Sequence, residues 1–354
     1  MQRRHFQLGV LAAAVVPQVH ARRKPPPAPI NAPARIQALR ITTGPLTDAY
    51  RIAPGGRLNW YFTNLGLIAI VQYLTVAELD LCIRRYLDLY LSRLETNLTI
   101  RDVNFNDETL QNITLVPSDS DNSYAATFLS LAVRYLQASQ NWSWWDTHKT
   151  RIKALAQANI VNLIKANGLV RVFQPGNPSP YADFGYMMNN SEDYRGLRDL
   201  SALLSLRGES ADAAYFGSVA SGIGQAIQIQ LWDSAHAGFK VSDQDRYADT
   251  GSFYPGTTCQ VFPQAFGVSE CSAYFTPAYR FLNTWSPRWP SLVYDPFPWC
   301  ILGFVAARRG DSTRALTQLS ATERLYVQNP GLVTINELGF YQRTRSILNG
   351  YGDI

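Results

Sequence analysis

The chain has 354 residues, of which 46% are hydrophobic and 12% are aromatic, and this composition supplies a large core and excludes a disordered chain. The formal net charge of +5 arises in residues 1–40, which hold seven Lys or Arg and no Asp or Glu. Residues 41–354 contain the other 25 of the 32 basic residues and all 27 acidic residues, so this part of the chain is slightly acidic. A nucleic-acid-binding domain carries its positive charge on the fold, so this distribution argues against nucleic acid as a partner.

Residues 1–21 have the features of an export signal. Arg3 and Arg4 precede a short apolar stretch at 8–16, and residues 19–21 resemble the end of a cleavage site. The paired arginines resemble the twin-arginine signal, which exports folded proteins, although an ordinary secretory signal with two chance arginines is the alternative. In both cases we expect a periplasmic or secreted protein.

Residues 22–40 read as a basic, proline-rich linker, because 25–29 has four prolines in five positions and is therefore stiff and extended. No later stretch reaches 18 apolar residues, so we expect no integral membrane span. We expect residues 41–354 to form one domain.

Helical periodicity dominates from residue 59 onward. In 76–95, for example, apolar residues recur every three or four positions and mark one buried face. About eleven helices are predicted, near 60–73, 76–95, 122–139, 144–167, 191–207, 209–231, 258–267, 272–283, 298–309, 311–327 and 334–348.

Short β-like pieces interrupt this helical pattern at 99–105, 112–116, 169–173 and 238–242. An all-helical solenoid would lack such pieces and would show a repeat of fixed period, which this chain does not. The predicted fold is therefore all-α, an (α/α)6 barrel with short β-tongues at one rim. The loops at that rim are the expected place for chemistry.

Cysteine and histidine give little support for a metal or a nucleophilic site. The four cysteines form no CxxC pair, and Cys259 and Cys271 are a candidate disulfide, with free buried thiols at least as well supported. After residue 21 only His148 and His236 remain, and their distance in sequence argues against a His-rich zinc site. A Ser-His-Asp triad would need one of the two, and neither lies near a GxSxG elbow. We predict no metal and no cofactor.

The strongest local feature is the segment 117–126, which joins a β-like piece to a helix. Asp119 and Asp121 lie two positions apart there, followed by Asn122 and Tyr124. An N-terminal cap explains one of the two carboxylates, but not both. Two acids held at a helix start can bind a hydroxyl-rich substrate and a nucleophilic water.

Residues 118–129 resemble the Asp-x-Asp signature of family-8 glycoside hydrolases. That family also has a general-acid Glu on its first inner helix, whereas residues 59–66 contain no Glu, which argues against membership. The wider resemblance is to the six-hairpin glycosidase superfamily. It rests also on 186–200, where Ser191 is a candidate helix cap before Glu192 and Asp193, and on 251–268.

The resemblance implies glycoside hydrolysis by two carboxyl groups, one of which is protonated while the other activates water or attacks directly. Glu192 is the predicted general acid and Asp121 the predicted general base, with the exchange of these roles left open. Asp119 is predicted to bind a sugar hydroxyl or to orient the water. The superfamily is mostly inverting, which implies carboxyl groups roughly 6.5–9.5 Å apart.

Candidate substrate-binding residues lie near predicted helix ends or inside these motifs. Aromatic rings can stack on sugar rings, although core packing is the commoner role of any single ring. The candidates are Trp60, Tyr61, Asn122, Tyr124, Asn190, Tyr194, Tyr254 and Gln260. Arg195 and Arg198 could hold an acidic sugar or form a solvated helix face.

The favoured interpretation is a hydrolase of a polysaccharide or oligosaccharide. A polysaccharide lyase is an alternative, because Asn189, Asn190, Tyr194 and His236 are residue types that lyases use. A non-catalytic glycan-binding protein is another. The series 119–122 also resembles the acid motif of class II terpene cyclases, but with Asn122 in place of its last Asp.

Overall fold

The computed structural model describes residues 29–353, so the predicted signal at 1–21 and residues 22–28 lie outside the described part. Helix α1, Ala32–Gln37, begins with a cap from Asn31 and buries Ile36. The backbone N–H of Ile30 donates to the Tyr341 hydroxyl at 3.1 Å. The folded body therefore begins before residue 41, because this segment, predicted as linker, packs against the last helix.

Twelve further α-helices follow α1 within the described residues. They are α2 Trp60–Ile68, α3 Val76–Glu78, α4 Arg85–Arg93, α5 Asn122–Ser139, α6 Trp142–Asn159, α7 Met187–Leu206, α8 Ser210–Ala226, α9 Phe262–Ala265, α10 Phe275–Trp285, α11 Cys300–Arg308, α12 Ser312–Gln328 and α13 Ile335–Leu348. A π-helical turn, Leu79–Arg84, joins α3 to α4.

Six helices form a closed inner ring. Along the chain α2 contacts α5, α5 contacts α7, α7 contacts α9, α9 contacts α11, α11 contacts α13, and α13 returns to α2. The intervening helices α4, α6, α8, α10 and α12 lie outside this ring. The chain is thus an (α/α)6 barrel, as the periodicity predicted.

Small residues allow the inner helices to approach closely. A Cβ on Gly66 of α2 would lie 2.6 Å from Ile335 Cγ1 of α13, and one on Gly196 of α7 would lie 2.6 Å from the Ala126 carbonyl oxygen of α5. Next to α2, aromatic rings fill the space between the inner and outer layers, since Tyr90 lies edge-on to Trp60 with ring centroids 5.4 Å apart. Non-glycine side chains at the two contacts would push the ring apart.

Two antiparallel hairpins extend from the helices. Strand β1, Asp102–Phe105, pairs with β2, Ile113–Val116, and β3, Trp232–Asp233, pairs with β4, Gly238–Phe239. The predicted β-tongues are therefore present, except at 169–173, where only Val170 forms a single bridge. The Asn190 side chain bonds both backbone groups of Val170, at 2.7 and 3.1 Å, and so replaces a strand partner.

All four cysteines are buried free thiols, so the candidate pair Cys259 and Cys271 forms no disulfide in the structure. Among residues 29–353, no helix has the length and apolarity needed to cross a bilayer. The same residues contain no group of three or more His, Cys, Asp or Glu side chains arranged to hold a metal ion.

Candidate active site

A cavity of about 870 Å³, called here the barrel cavity, opens at the ends of the inner helices. Its wall includes residues from the first turns of α2, α5, α7, α11 and α13 and from the loop before α11. Four acidic side chains line it: Asp119, Glu192, Asp295 and Glu337. A volume of this size lies within the range of about 300–1,000 Å³ that is usual for small-ligand sites.

Glu192 lies on α7 and is 2% exposed. The Tyr61 hydroxyl of α2 donates a hydrogen bond to its Oε1 at 2.5 Å. Burial raises the pKa of the Glu192 carboxyl to about 8, because the charged form loses its hydration, while the hydrogen bond from Tyr61 works in the opposite direction. The Glu192 carboxyl is therefore mostly protonated at neutral pH.

Glu337 is the third residue of α13 and is 5% exposed. The backbone N–H of Cys300 donates to its Oε2 at 2.5 Å, and the Asn336 amide donates to its Oε1 at 3.0 Å. Burial raises the pKa of the Glu337 carboxyl to about 7, and the bonds from Cys300 and Asn336 oppose this rise. Both oxygens of Glu337 thus accept hydrogen bonds, which stabilise its carboxylate form. Glu337 therefore loses its proton at a lower pH than Glu192 does.

Asp119 lies at the edge of the cavity with a side chain 63% exposed. Its carboxylate accepts a hydrogen bond from the Asn59 amide at 3.2 Å and lies 3.6 Å from the Arg57 guanidinium. The same Asn59 amide lies 2.7 Å from the buried Asp102 carboxylate, whose pKa burial raises to about 6. Asn59 therefore connects Asp119 to the packed wall of the barrel.

Asp121 is not part of the cavity wall. Its Oδ2 accepts a hydrogen bond from the backbone N–H of Gln174 at 2.8 Å, and burial raises the pKa of this carboxyl to about 6. The two acids at spacing two therefore point to different places, Asp119 to the cavity and Asp121 to the loop before α7. This position favours a structural role for Asp121 rather than the predicted role of general base.

The predicted start of α7 at Ser191 also differs from the structure. The helix begins at Met187, and the Ser191 hydroxyl donates back to the Met187 carbonyl at 2.8 Å instead of capping. Glu192 and Asp193 are consequently more than one turn inside the helix and buried. This depth, rather than a helix-end position, puts Glu192 in the cavity wall.

Three of the eight predicted binding residues, Tyr61, Tyr124 and Tyr254, line the barrel cavity. The other five are buried outside its wall with partners of their own. They are Trp60, Asn122, Asn190, Tyr194 and Gln260.

The partners of these five residues indicate structural roles. The Trp60 indole donates to the Arg101 carbonyl, and Asn122 donates to the buried Asp193 carboxylate. Gln260 bonds the backbone of Phe239, and Tyr194 pairs with Ser269. The arginines that were candidates for an acidic sugar are also paired, Arg195 with Asp199 and Arg198 with Glu270.

The sequence motifs did not point to Glu337 or Asp295, and Trp299 was only one of ten aromatic residues near predicted helix ends, not a selected site residue. Glu337 follows Thr334 at the start of a helix, which is the same pattern that singled out Glu192, so this signal was present in the sequence. Asp295 lies in a loop of Pro and aromatic residues whose course no periodicity predicts, and Trp299 lies at the end of this loop, directly before α11 and at the start of the helix predicted near 298–309. Only the closing of the ring brings them to the cavity.

Tyr254 and Trp299 form a stacked pair at the cavity rim. Their ring centroids lie 4.6 Å apart with an interplanar angle of 27°. Tyr254 remains 53% exposed. Trp299 precedes α11 with φ of +49°, a conformation that is uncommon for a large side chain and typical of functional sites.

No protein-family model matches the chain, and no curated protein matches it. Among solved structures, a rhamnosidase from Klebsiella oxytoca with rhamnose bound superposes with a TM-score of 0.63 at 14% identity, covering 90% of this chain and 63% of that one. A GH78 family rhamnosidase of Bacillus sp. GL1 gives 0.59 at 14% identity, with 90% and 34% covered. The chain thus spans less than two thirds of either rhamnosidase.

A wild-type glycosidase is similar over nearly its whole length, with a TM-score of 0.59 at 12% identity and coverage of 91% of this chain and 96% of that one. A glutamate-to-alanine glycosidase variant in complex with glucose gives the same values. At these identities the similarity establishes the fold, which is the helical barrel that these glycosidases share with this chain.

Proposed function

We propose that this chain is a glycoside hydrolase that uses Glu192 and Glu337 as its two carboxyl groups. The observation that carries the proposal is that two buried glutamates, on α7 and α13, line one cavity of a helical barrel and differ in hydrogen bonding. Glycosidic bonds are cleaved by such pairs, in which one carboxyl is protonated and the other is ionised.

Glu192 is assigned as the general acid. Its pKa of about 8 keeps the proton on the carboxyl at neutral pH, and the hydrogen bond from Tyr61 to Oε1 orients the group. Donation of this proton to the glycosidic oxygen would allow the leaving group to depart as a neutral alcohol. This is the role predicted for Glu192 from the sequence motif, and its position in the cavity wall supports the assignment.

Glu337 is assigned as the general base in place of Asp121. Hydrogen bonds to both of its oxygens favour the carboxylate, and its pKa of about 7 leaves a large ionised fraction at neutral pH. Each oxygen retains a lone pair that can accept a proton from a water molecule. Asp119, which is exposed at the edge of the cavity, is assigned the role of binding a sugar hydroxyl.

The alternative functions are less well supported by the same positions. Of the four residues on which the lyase alternative rests, only Asn189 lines the barrel cavity, whereas Asn190 and the two candidate bases, Tyr194 and His236, do not. A class II terpene cyclase would need the acid motif at 119–122, including Asp121, in the cavity wall, and Asp121 lies outside it. The substrate class we propose is a glycan in the periplasm or outside the cell, since residues 1–21 read as an export signal; the neighbours carry rhamnose and glucose.

The test is hydrolysis of a panel of 4-nitrophenyl α- and β-glycosides that includes rhamnosides and glucosides. For the glycoside that is hydrolysed, Glu192→Gln and Glu337→Gln should each lower kcat by about 10²–10⁴-fold, the usual value of general acid–base catalysis. Asp121→Asn is the matched control, because it makes the same change of group outside the cavity, and it should keep kcat within a few-fold.

Three results would contradict the proposal. Full activity of the Glu192→Gln variant would remove its acid role, and the absorbance of an unsaturated uronate in the product would identify a lyase. Binding of oligosaccharides without any product on prolonged incubation would identify a binding protein.

A further inference from the structure

The backbone at the start of α11 supplies one of the hydrogen bonds that hold Glu337. Cys300 is the first residue of this helix, and its N–H has no partner inside the helix, as is general for the first N–H groups of an α-helix. It donates to Glu337 Oε2 at 2.5 Å instead. The peptide between Trp299 and Cys300 is planar, so the course of the loop before α11 sets the direction of this N–H.

This loop does not keep its course by local preference. Trp299 has a φ of +49°, a left-handed conformation that is unfavourable for a residue with a side chain and persists only where surrounding contacts enforce it. Pro296 and Pro298 precede it and have no backbone N–H with which to anchor the loop. Contacts from another element must therefore hold residues 298–300 in place.

Gln318 of the outer helix α12 provides these contacts. Its side-chain amide donates to the Pro298 carbonyl at 2.8 Å and to the Trp299 carbonyl at 3.0 Å, so that both of its N–H groups have an acceptor. Gln318 is 2% exposed and lies outside the wall of the barrel cavity. Gly303 of α11 leaves the space that the amide needs, since a Cβ at this position would overlap Gln318 Oε1.

Two titratable groups from the loop and from α11 act on the Glu337 carboxyl. The Asp295 charge raises the pKa of Glu337, and the buried Cys300 thiol keeps its proton because burial raises its own pKa well above the usual value. The other acidic groups of the cavity wall are Asp119 and Glu192. Loss of the bond from Cys300 would raise the pKa of Glu337, whereas movement of Asp295 away from it would lower this pKa. The sign of a change therefore identifies its cause.

We propose that Gln318 is a positioning residue for the general base Glu337. It holds the turn at 298–299, and this turn directs the Cys300 N–H at the carboxylate. The inference rests on the proposed function for the role of Glu337 and extends the catalytic arrangement to an outer-helix residue that lies behind the cavity wall. Gln318 thereby stabilises the ionised form that activates water.

The experiment measures the ionisation of Glu337 directly and the activity separately. The chain has eight glutamates, so protein isotopically labelled at the glutamate side-chain carboxyl carbon gives few NMR signals, and the Glu337→Gln variant identifies the relevant one. The change is Gln318→Met, which keeps the length of the side chain and removes both donors. The Glu337 midpoint should rise from about 7 to about 8, because one hydrogen bond to a carboxylate is worth about one pH unit.

Gly303→Ala tests the same contact without removing the amide. The added Cβ would overlap Gln318 Oε1, which is the far end of a flexible side chain, so the amide should move while the fold is kept. The Glu337 midpoint should rise in this variant as well. The matched control is Gln260→Met, because Gln260 is also buried and bonds the backbone of Phe239 outside the cavity wall. This control should leave the Glu337 midpoint unchanged.

The activity should follow the midpoint. In the Gln318→Met variant the rising limb of kcat/KM should move to higher pH, so that kcat/KM falls about tenfold at pH 6 and changes little at pH 9. A general loss of packing would instead lower kcat/KM by a similar factor at both pH values.

The outcomes separate the inference from the proposed function. A folded Gln318→Met or Gly303→Ala protein, as judged by circular dichroism, with the wild-type Glu337 midpoint would overturn the inference. An equal rise in the Gln260→Met control would also overturn it. If the midpoint rises in both variants and not in the control, but no glycoside is hydrolysed or the rising limb does not follow, the position of Gln318 is supported and the proposed function fails.

Discussion

The Tyr61 hydroxyl donates to Glu192 Oε1 at 2.5 Å, although 131 positions separate the two residues in sequence. Tyr61 also stacks on Tyr124 of α5, with ring centroids 5.9 Å apart, so three neighbouring inner helices fix this one hydrogen bond. Burial and the adjacent carboxyl raise the pKa of the Tyr61 hydroxyl well above its usual value. Tyr61 therefore keeps its proton and remains a donor to Glu192.

Replacing Tyr61 by Phe should raise the pKa of Glu192, because it removes a hydrogen bond that stabilises the carboxylate. The alkaline limb of the activity profile should move to higher pH, and kcat at pH 7 should fall about tenfold, since the carboxyl loses its orientation. The measurement is the pH dependence of kcat for both proteins. A Phe variant with lower activity and an unmoved alkaline limb would assign Tyr61 to the substrate instead of Glu192.

The wild-type enzyme should show a bell-shaped dependence of kcat/KM on pH. Activity needs Glu337 ionised and Glu192 protonated, so it should rise through a pKa of about 7 and fall through a pKa of about 8. The optimum should therefore lie between these two values. An optimum near pH 4–5 would contradict the pairing of these two buried carboxyls.

Stability should decrease with rising pH because of the same two residues. The Glu192 pKa is raised on folding, so its contribution is fully present below its unfolded value of 4.5 and is lost as the pH rises through about 8. A shift of this size corresponds to a change of the order of 5 kcal/mol in the free energy of unfolding.

Chemical denaturation at pH 5 and pH 9 measures this effect. The wild-type protein should lose more stability between the two values than the Glu192→Gln variant, because the amide does not titrate. Equal losses in both proteins would show that the Glu192 carboxyl is not buried in solution.

Barrel closure can be tested at Gly66, where α2 and α13 are in contact. The substitution Gly66→Ala should lower the free energy of unfolding by about 1–3 kcal/mol, because its Cβ would overlap Ile335. Gly222→Ala is the matched control on the outer helix α8, where nothing beyond the helix's own backbone lies within 4 Å of the added carbon. That change should stabilise by up to about 1 kcal/mol through helix propensity. Similar effects of both substitutions on the urea midpoint would argue against the close contact.

The fold was largely predictable because its signals are local. Residues 76–95 and 122–139 each carry their buried face in their own spacing, and the structure has helices there, with a π-helical turn inside the first. The segment 169–173 was misread because its apolar residues fit a strand. The side chain of Asn190, about 20 positions away, forms hydrogen bonds with the backbone N–H and carbonyl of Val170. No local sequence pattern predicts this tertiary contact.

The spacing of apolar residues was enough to predict a helical barrel, and the motifs at 118–129 and 186–200 were enough to select Asp119 and Glu192, because both signals lie in neighbouring residues. The depth of Glu192 inside its helix, and the presence of Glu337 rather than Asp121 in the same cavity, depend on tertiary contacts. Closure of the ring through α13 and α2 brings together residues from opposite ends of the sequence. The Asp121 carboxylate points away from the cavity because it accepts a hydrogen bond from the backbone of Gln174 in the loop before α7. Ring closure and this hydrogen bond both join residues that are distant in sequence, so no local spacing predicts them.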